Sequence, residues 1–294
     1  MTNKTPPADL FVDIELIRRL IYEQCPEYSG KSIQIVGAGW DNYIYRLGND
    51  LALRLPRRKE AIGLIQHEQR WLPKIQKLID IPIPAPVFKG KASEYYNSIW
   101  SIIPWFEGRT ANLEKLDASE LLRLVENLRR LHIPATDDAP DNPLRGVPLI
   151  QRKEVVEERL EILSHKTELI TSEVYEIWNN ALDAEVHVEE RWIHGDLHSR
   201  NIIVNNGKIT ALIDWGDMTI GDVATDLACL WMLIDDNAFR KLCLDVYEAD
   251  DALRRRSAGW AVFYGAVLLA TGLEDHEEHA EMVKRIFENL ISDT

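Results

Sequence analysis

His194-Gly-Asp196-Leu-His198-Ser-Arg-Asn201-Ile-Ile-Val204 runs through Asn205-Asn-Gly207 into Lys208-Ile-Thr-Ala-Leu-Ile213-Asp214-Trp-Gly216. This stretch decides the fold of the chain. Two short apolar runs, 202–204 and 209–213, flank an Asn-Gly turn, a pattern that predicts a tight β-hairpin. Asp196 and Asn201 fall in the loop before the hairpin, and Asp214 falls at its far end. Folding the hairpin back is expected to bring Asn201 and Asp214 together, with Asp196 on the loop leading in. Two oxygen ligands beside a free carboxylate suit a magnesium-nucleotide site with a base for a substrate hydroxyl.

The string resembles the catalytic loop and metal-binding motif of the protein-kinase-like superfamily. His194-Gly195-Asp196 stands where protein kinases carry His-Arg-Asp, Asn201 follows at the expected five-residue spacing, and Asp214-Trp215-Gly216 replaces Asp-Phe-Gly. The glycine after the histidine, His198, and the run Gly221-Asp222-Val-Ala-Thr-Asp226 are similar to the aminoglycoside phosphotransferase branch. The resemblance implies an α+β, bilobal protein-kinase-like fold. An N-terminal nucleotide-binding lobe, 1–103, would hold a five-stranded antiparallel sheet with a helix. A larger, mostly helical C-terminal lobe, 104–294, would carry catalysis and substrate binding. It also implies a small-molecule kinase that uses ATP or GTP with Mg²⁺. Asp196 would be its catalytic base, and Asn201 and Asp214 its metal ligands.

Composition sets the outer bounds. With 294 residues, 46% of them hydrophobic, the chain is long enough for a sizeable core. A formal charge of −14 argues against a nucleic-acid backbone as partner and suits a cationic small molecule. Cys25, Cys229 and Cys243 show neither metal-type spacing nor an even count for a disulfide framework. The first residues lack the apolar core of a signal peptide, and 259–273, the longest uncharged run, is short for a membrane span and reads as a buried helix. These features predict a cytoplasmic protein with no membrane segment and no obligate protein partner.

In chain order, apolar positions at Ile14, Ile17, Leu20 and Ile21 predict an amphipathic helix near 13–24. Residues 32–36 read as a strand entering Gly37-Ala-Gly39, where small residues let backbone N–H groups approach phosphates. A second hairpin, 43–47 and 51–55, turns at Gly48-Asn-Asp50. Arg54 stands where the resemblance places a phosphate-binding lysine; arginine keeps the charge and forks onto oxygens. A helix over 61–78 carries Glu68, the expected partner of Arg54, with Glu60 as the fallback. Strands follow at 86–92 and 98–106. The segment from Ile102 to Gly108 resembles the hinge, where backbone near Ile103 would meet the purine and Trp105 or Phe106 would line the nucleotide cleft. Asp117-Ala-Ser-Glu120 reads as a capping box opening a helix to about His132. Residues 137–148 read as a Pro- and Asp-rich loop, and 154–165 and 172–182 as helices.

Supporting roles complete the reading. His194 is expected to brace the loop, His198 to touch substrate or phosphate, and Asp217 to stand behind the metal ligands. Asp222 is a candidate helix cap, and Asp226 resembles the buried aspartate that braces the catalytic loop. Asp235 and Asp236 are the candidates for holding ammonium groups of an aminoglycoside-like acceptor. Macrolide, amino-alcohol and sugar kinases share the same chemistry. A different class, a metal hydrolase with His194, Asp196, His198 and Asp214 as ligands, fits the His-x-Asp-x-His run but leaves Asn201, the glycines and the Arg54/Glu68 pair without a role.

Overall fold

The structure, a computed structural model, describes residues 7–186, 189–275 and 277–293, without the side chains of 271–280. The chain forms two compact units. The first runs to Glu107 and takes in Thr210–Gly216; the second comprises Gly108–Ile209 and the chain from Asp217 onward.

The first unit opens with α1 (Ile14–Gln24), capped by the Asp13 carboxylate, which accepts from Leu16 N–H at 2.8 Å. Its apolar stripe of Ile17, Leu20 and Ile21 is fully buried. Then come β1 (Ile33–Ala38), β2 (Asn42–Leu47), β3 (Leu51–Pro56), α2 (Ala61–Ile75), β4 (Phe88–Gly90) and β5 (Trp100–Pro104). The strands form the expected five-stranded sheet, in order β1-β2-β3-β5-β4, with antiparallel neighbours. Strand β3 is central and buried along its whole length. Its pleat separates two environments. Leu51, Leu53 and Leu55 join the α1 stripe, Leu47, Trp100 and Ile102 in one core. Alternate residues face the other way, and there Arg54 meets Glu68 of α2 at 2.9 Å. Helix α2 ends at Ile75, three residues short of the expected end, and Pro73 lies in its last turn.

The second unit contains β6 (Arg109–Thr110), α3 (Ala118–Leu131), α4 (Lys153–Ser164), α5 (Ser172–Leu182), β7 (Arg191–Ile193), β8 (Ile202–Asn205) and the start of β9 (Lys208–Leu212). After it come β10 (Thr219–Gly221), α6 (Ala224–Leu227), α7 (Leu230–Leu233), α8 (Asn237–Tyr247), α9 (Asp251–Asp275) and α10 (Glu277–Ile291). Strands β8 and β9 are the predicted hairpin, and Asn206 and Gly207 both take the positive φ of a type I′ turn, 51° and 76°. The uncharged run 259–273 belongs to α9, which begins eight residues earlier, at Asp251. Trp260 to Tyr264 are all buried, as a helix apolar on every side requires. A Cβ on Gly259 would stand 2.4 Å from the Ala181 methyl, so glycine here sets the approach of α9 to α5. No described helix is long and apolar enough to cross a membrane.

The capping box expected at Asp117 does not form. The Glu120 carboxylate turns instead to Ile209 N–H at 3.0 Å and to Arg123 at 3.0 Å. The adjacent strand presents a free backbone donor that competes with the helix's own first turn.

Candidate active site

In the first unit, Arg54, Glu68 and Asp214 come together. Arg54 Nη2 lies 2.9 Å from Glu68 Oε1 and 3.3 Å from Asp214 Oδ1. With its amide oxygen turned inward, Asn42 accepts from Arg54 Nε and Nη2, each at 3.2 Å. Arg54 and Glu68 are buried, whereas the Asp214 side chain is 60% exposed. Burial pushes the Glu68 carboxyl up, and Arg54 opposes it. Glu60, the fallback partner, pairs with Arg58 at 3.6 Å. Asp214 holds the left-handed conformation, φ 60°, which costs a non-glycine residue free energy and persists only where surroundings enforce it. The enforcement is local: Trp215 is fully buried and its Nε1 donates to Leu212 O at 2.9 Å.

Gly37 and Gly39 sit exposed at the β1–β2 connection, where the strand register shifts between Ile35 and Gly37. The N–H of Gly39 is engaged by Asn42 O at 2.9 Å, so it closes the hairpin. Arg57, three residues after Arg54, donates to Gly39 O at 3.2 Å, and Arg58 pairs with Asp41 at 3.1 Å. The arginine-rich end of β3 thus also fastens this glycine turn. Ile103 is partly buried in β5, opposite Ala52. Trp105 donates its backbone N–H to Asp50 O at 2.9 Å, and the Arg46 guanidinium lies 4.8 Å from its ring centre.

In the second unit the residues of the 194–201 loop converge. Asp226, fully buried, accepts His194 N–H at 2.7 Å and Gly195 N–H at 2.9 Å, and its Oδ2 is 3.1 Å from His132 Nε2. Tyr264 donates its hydroxyl to Gly195 O at 2.8 Å. Gly195 has φ 84°, and a Cβ there would lie 2.2 Å from Asp217 O, so no other residue fits. The Asp196 carbonyl accepts from Asn201 Nδ2 at 2.8 Å, and the loop is thereby tied at both ends. His194 is fully buried and its Nδ1 accepts the Asp196 N–H at 3.3 Å, a bracing contact. His198 Nδ1 accepts from Arg200 N–H at 3.2 Å, and its Nε2 lies 3.5 Å from Asp196 Oδ2 and 3.4 Å from Asn201 Nδ2. Among the described residues, no group of three or more His, Cys, Asp or Glu is placed to hold a metal ion.

Arg145 is the residue that sequence reasoning missed. Its Nη2 lies 2.6 Å from Asp196 Oδ1 and its Nε 3.7 Å from Asp217 Oδ2. Asn142 holds it there, accepting from the Leu144 and Arg145 N–H groups and donating to Asp217 Oδ1 at 2.8 Å. Burial by itself would raise the Asp196 pKa; Arg145 and His198 more than offset that and hold the carboxyl well below its usual range. The clue in the sequence is Asn142-Pro-Leu-Arg145-Gly146, a turn signature inside the Pro- and Asp-rich loop.

Asp235 and Asp236 lie elsewhere in this unit, in other contacts. Asp235 pairs with Arg285 and, at 3.6 Å, with Lys115; Asp236 caps α8 by accepting from Phe239 N–H at 2.7 Å. Asp222 accepts from Ala224 N–H at 3.1 Å and pairs with Arg256 at 2.7 Å. Asn201 and Asp214, each in its own unit, supply neutral and anionic oxygens of the type a hard cation such as Mg²⁺ prefers.

Asp226 yields a first prediction. Asp226→Asn turns an NH₂ toward backbone donors, so stability is expected to fall by about 3 kcal/mol. His132 and the loop N–H groups hold its carboxyl below the usual value despite burial. The wild-type contribution is therefore present above about pH 3.9 and lost as pH falls through the lower folded value. Urea unfolding between pH 3 and 7 checks both, and an unchanged midpoint would remove Asp226 from the loop's support.

Residues 32–262 match the model of the phosphotransferase enzyme family, APH. No curated protein matches the chain. The fold matches the GDP complex of wild-type aminoglycoside 2′-phosphotransferase-IIIa at 19% identity, covering 96% of this chain and 100% of that one, with a TM-score of 0.66. The gentamicin complex of APH(2″)-IIa matches at 18% identity over 96% and 99% of the two chains, with a TM-score of 0.60. The apoenzyme of macrolide 2′-phosphotransferase MphH from Brachybacterium faecium matches at 18% identity over 93% and 97%, with a TM-score of 0.59.

Proposed function

Since the chain belongs to the phosphotransferase enzyme family, we propose that it moves the γ-phosphoryl group of ATP or GTP to a hydroxyl of a small molecule, with Asp196 as the base. The observation that carries this reading is the setting of Asp196: a part-buried carboxylate kept ionised by Arg145, on a loop fastened by Asp226 and Asn201. Such a carboxylate is a weak base. Phosphoryl transfer needs no more, because the hydroxyl attacks through a loose transition state and gives up its proton late. Asp196 then serves mainly to orient the hydroxyl, which converts an encounter into a positioned reaction.

On the nucleotide side, Arg54, steadied by Glu68, binds the phosphates that are not transferred. Ile103 and Trp105 are the proposed purine contacts, and the hairpin of Gly37 and Gly39 covers the phosphates. Asn201 and Asp214 would hold Mg²⁺, which when bound neutralises phosphate charge. Asp217 keeps Arg145 in place, and His198 faces the acceptor side of Asp196. The cytoplasm, where nucleoside triphosphates are abundant, is the compartment this reading implies.

An aminoglycoside-like cation is one acceptor class. It is favoured by the charge of −14 and by the gentamicin bound to one structural neighbour. The charges next to Asp196 favour another class, argued below. A coupled ADP- or GDP-release screen over aminoglycosides, macrolides, amino alcohols, sugars and sugar acids tests the transfer itself. Asp214→Ala is expected to weaken magnesium-dependent nucleotide binding by ~10-fold or more. Equal affinity in the variant and the parent, with and without magnesium, would count against Asp214 as a ligand.

A further inference from the structure

Around Arg145, which holds Asp196, the second unit gathers further cations that the transfer chemistry does not use. The Arg152 guanidinium carbon lies 5.3 Å from the centre of the Phe263 ring. That of Arg145 lies 5.7 Å from the same ring and 5.3 Å from the ring of Tyr264. Both rings are buried, and Trp260 packs behind them with ring centres 5.1 and 6.2 Å away. An aromatic floor thus carries two guanidiniums, one of which holds the proposed base.

The two differ in their partners. Arg145 is paired with Asp196 and Asp217. Arg152 has no carboxylate partner among the described residues, and its Nε is buried without a hydrogen-bond acceptor. Burial, then repulsion from Arg145 and from Arg159, lowers its pKa. Arg159 lies seven residues on, two turns along α4 and on the same side of the helix. A buried donor without an acceptor, set among like charges, is an unfavourable arrangement that an incoming anion relieves. The forked guanidinium matches the paired oxygens of a carboxylate or phosphate.

We propose that Arg152, with Arg145 and Arg159 beside it, binds a carboxylate or phosphate group of the acceptor, so that the molecule phosphorylated is a hydroxylated anion. This inference rests on the reading of Asp196 as the base. Arg145 links the two groups, since its guanidinium lies near the Phe263 ring that Arg152 also approaches and its Nη2 bonds Asp196, so on this proposal one small molecule meets both the anion site and the base. Asp235 and Asp236, the carboxylates expected to receive ammonium groups, are already bound by Arg285 and Lys115 and by the start of α8. The net charge of the whole chain does not set the sign of the field at this spot, because exposed charges farther than about 8–10 Å away are screened.

The test is a calorimetric titration of the ADP-saturated full chain with inorganic phosphate, gluconate and kanamycin at fixed ionic strength. ADP fills the α- and β-phosphate positions, and phosphate bound at the open γ-position is told apart because it does not respond to Arg152→Gln. Phosphate or gluconate is expected to bind the parent, and Arg152→Gln is expected to weaken that binding by ~10- to 100-fold. Arg152→Lys, which keeps the charge, should recover part of it and guards against a folding defect in the first variant. Comparing the two anions shows which group the site prefers. With a competent acceptor, Arg152→Gln should raise the acceptor KM while the nucleotide KM stays put. The inference is overturned if neither anion binds, if both bind Arg152→Gln as tightly as the parent, or if kanamycin is the ligand that binds. If the anion binds through Arg152 yet no hydroxylated anion yields ADP, the site stands and the transfer reading of Asp196 fails instead.

Discussion

Asp196→Ala is expected to lower kcat by about 10²- to 10⁴-fold, the usual contribution of a positioned acid or base, while nucleotide affinity stays within a few-fold of the parent. The reason lies in the geometry. The carboxylate projects from a loop whose backbone is held by Asp226, Tyr264 and Asn201, so removing the side chain leaves its supports in place. The change also frees Arg145, which retains Asp217 as partner. Asp196→Asn keeps the shape and one oxygen for Arg145 but accepts no proton, and it should be nearly as slow. Turnover by coupled diphosphate release and affinity by nucleotide titration separate the two effects. A variant that transfers phosphate near the parent rate would show that Asp196 is not the base.

The second large effect is expected at Arg54 and Glu68. Their side chains are 9% and 5% exposed and 2.9 Å apart, so each needs the other to be tolerated in the interior. Arg54→Ala leaves the Glu68 carboxyl without its main counter-charge and should cost about 3–5 kcal/mol of stability. It also removes the only cation paired with Asp214 among the described residues, and catalytic efficiency should drop by ~10- to 100-fold in what remains folded. Arg54→Lys keeps the charge but loses the fork that reaches Glu68, Asp214 and Asn42 together, so it should fall between the two. Glu68→Ala should weaken the enzyme by misplacing the same cation. The double variant should then be less damaging than the sum of the singles, with a coupling on the order of 1–3 kcal/mol. Strictly additive losses in stability and in kcat/KM would mean that the two side chains act separately.

The sequence by itself determined the features that depend on near neighbours. The Asn206-Gly207 turn needs positive φ at two successive positions, and few residue pairs supply it cheaply. The period-two alternation of β3 places Arg54 on the face opposite the leucines, since every second side chain points the same way. The spacing of apolar residues in α1 specifies which side of the helix meets the sheet.

Tertiary structure alone decided which side chains complete the site. Arg145 meets Asp196 across 51 residues of chain, and Asp226 reaches back 32 residues to the His194 N–H. The chain has 34 lysines and arginines, and no local pattern marks one of them as the partner of a particular carboxylate. Competition for donors was equally invisible. Glu120 has the spacing of a capping box, yet Ile209 N–H, 89 residues away, takes its carboxylate. Asp235 and Asp236 read as free acids until Arg285 and the start of α8 engage them. Local geometry is fixed by dihedral preference and residue period, both written in a few adjacent residues. The partner of a charge is fixed by which packed surfaces arrive beside it, and those are chosen by burial of apolar area over the whole chain.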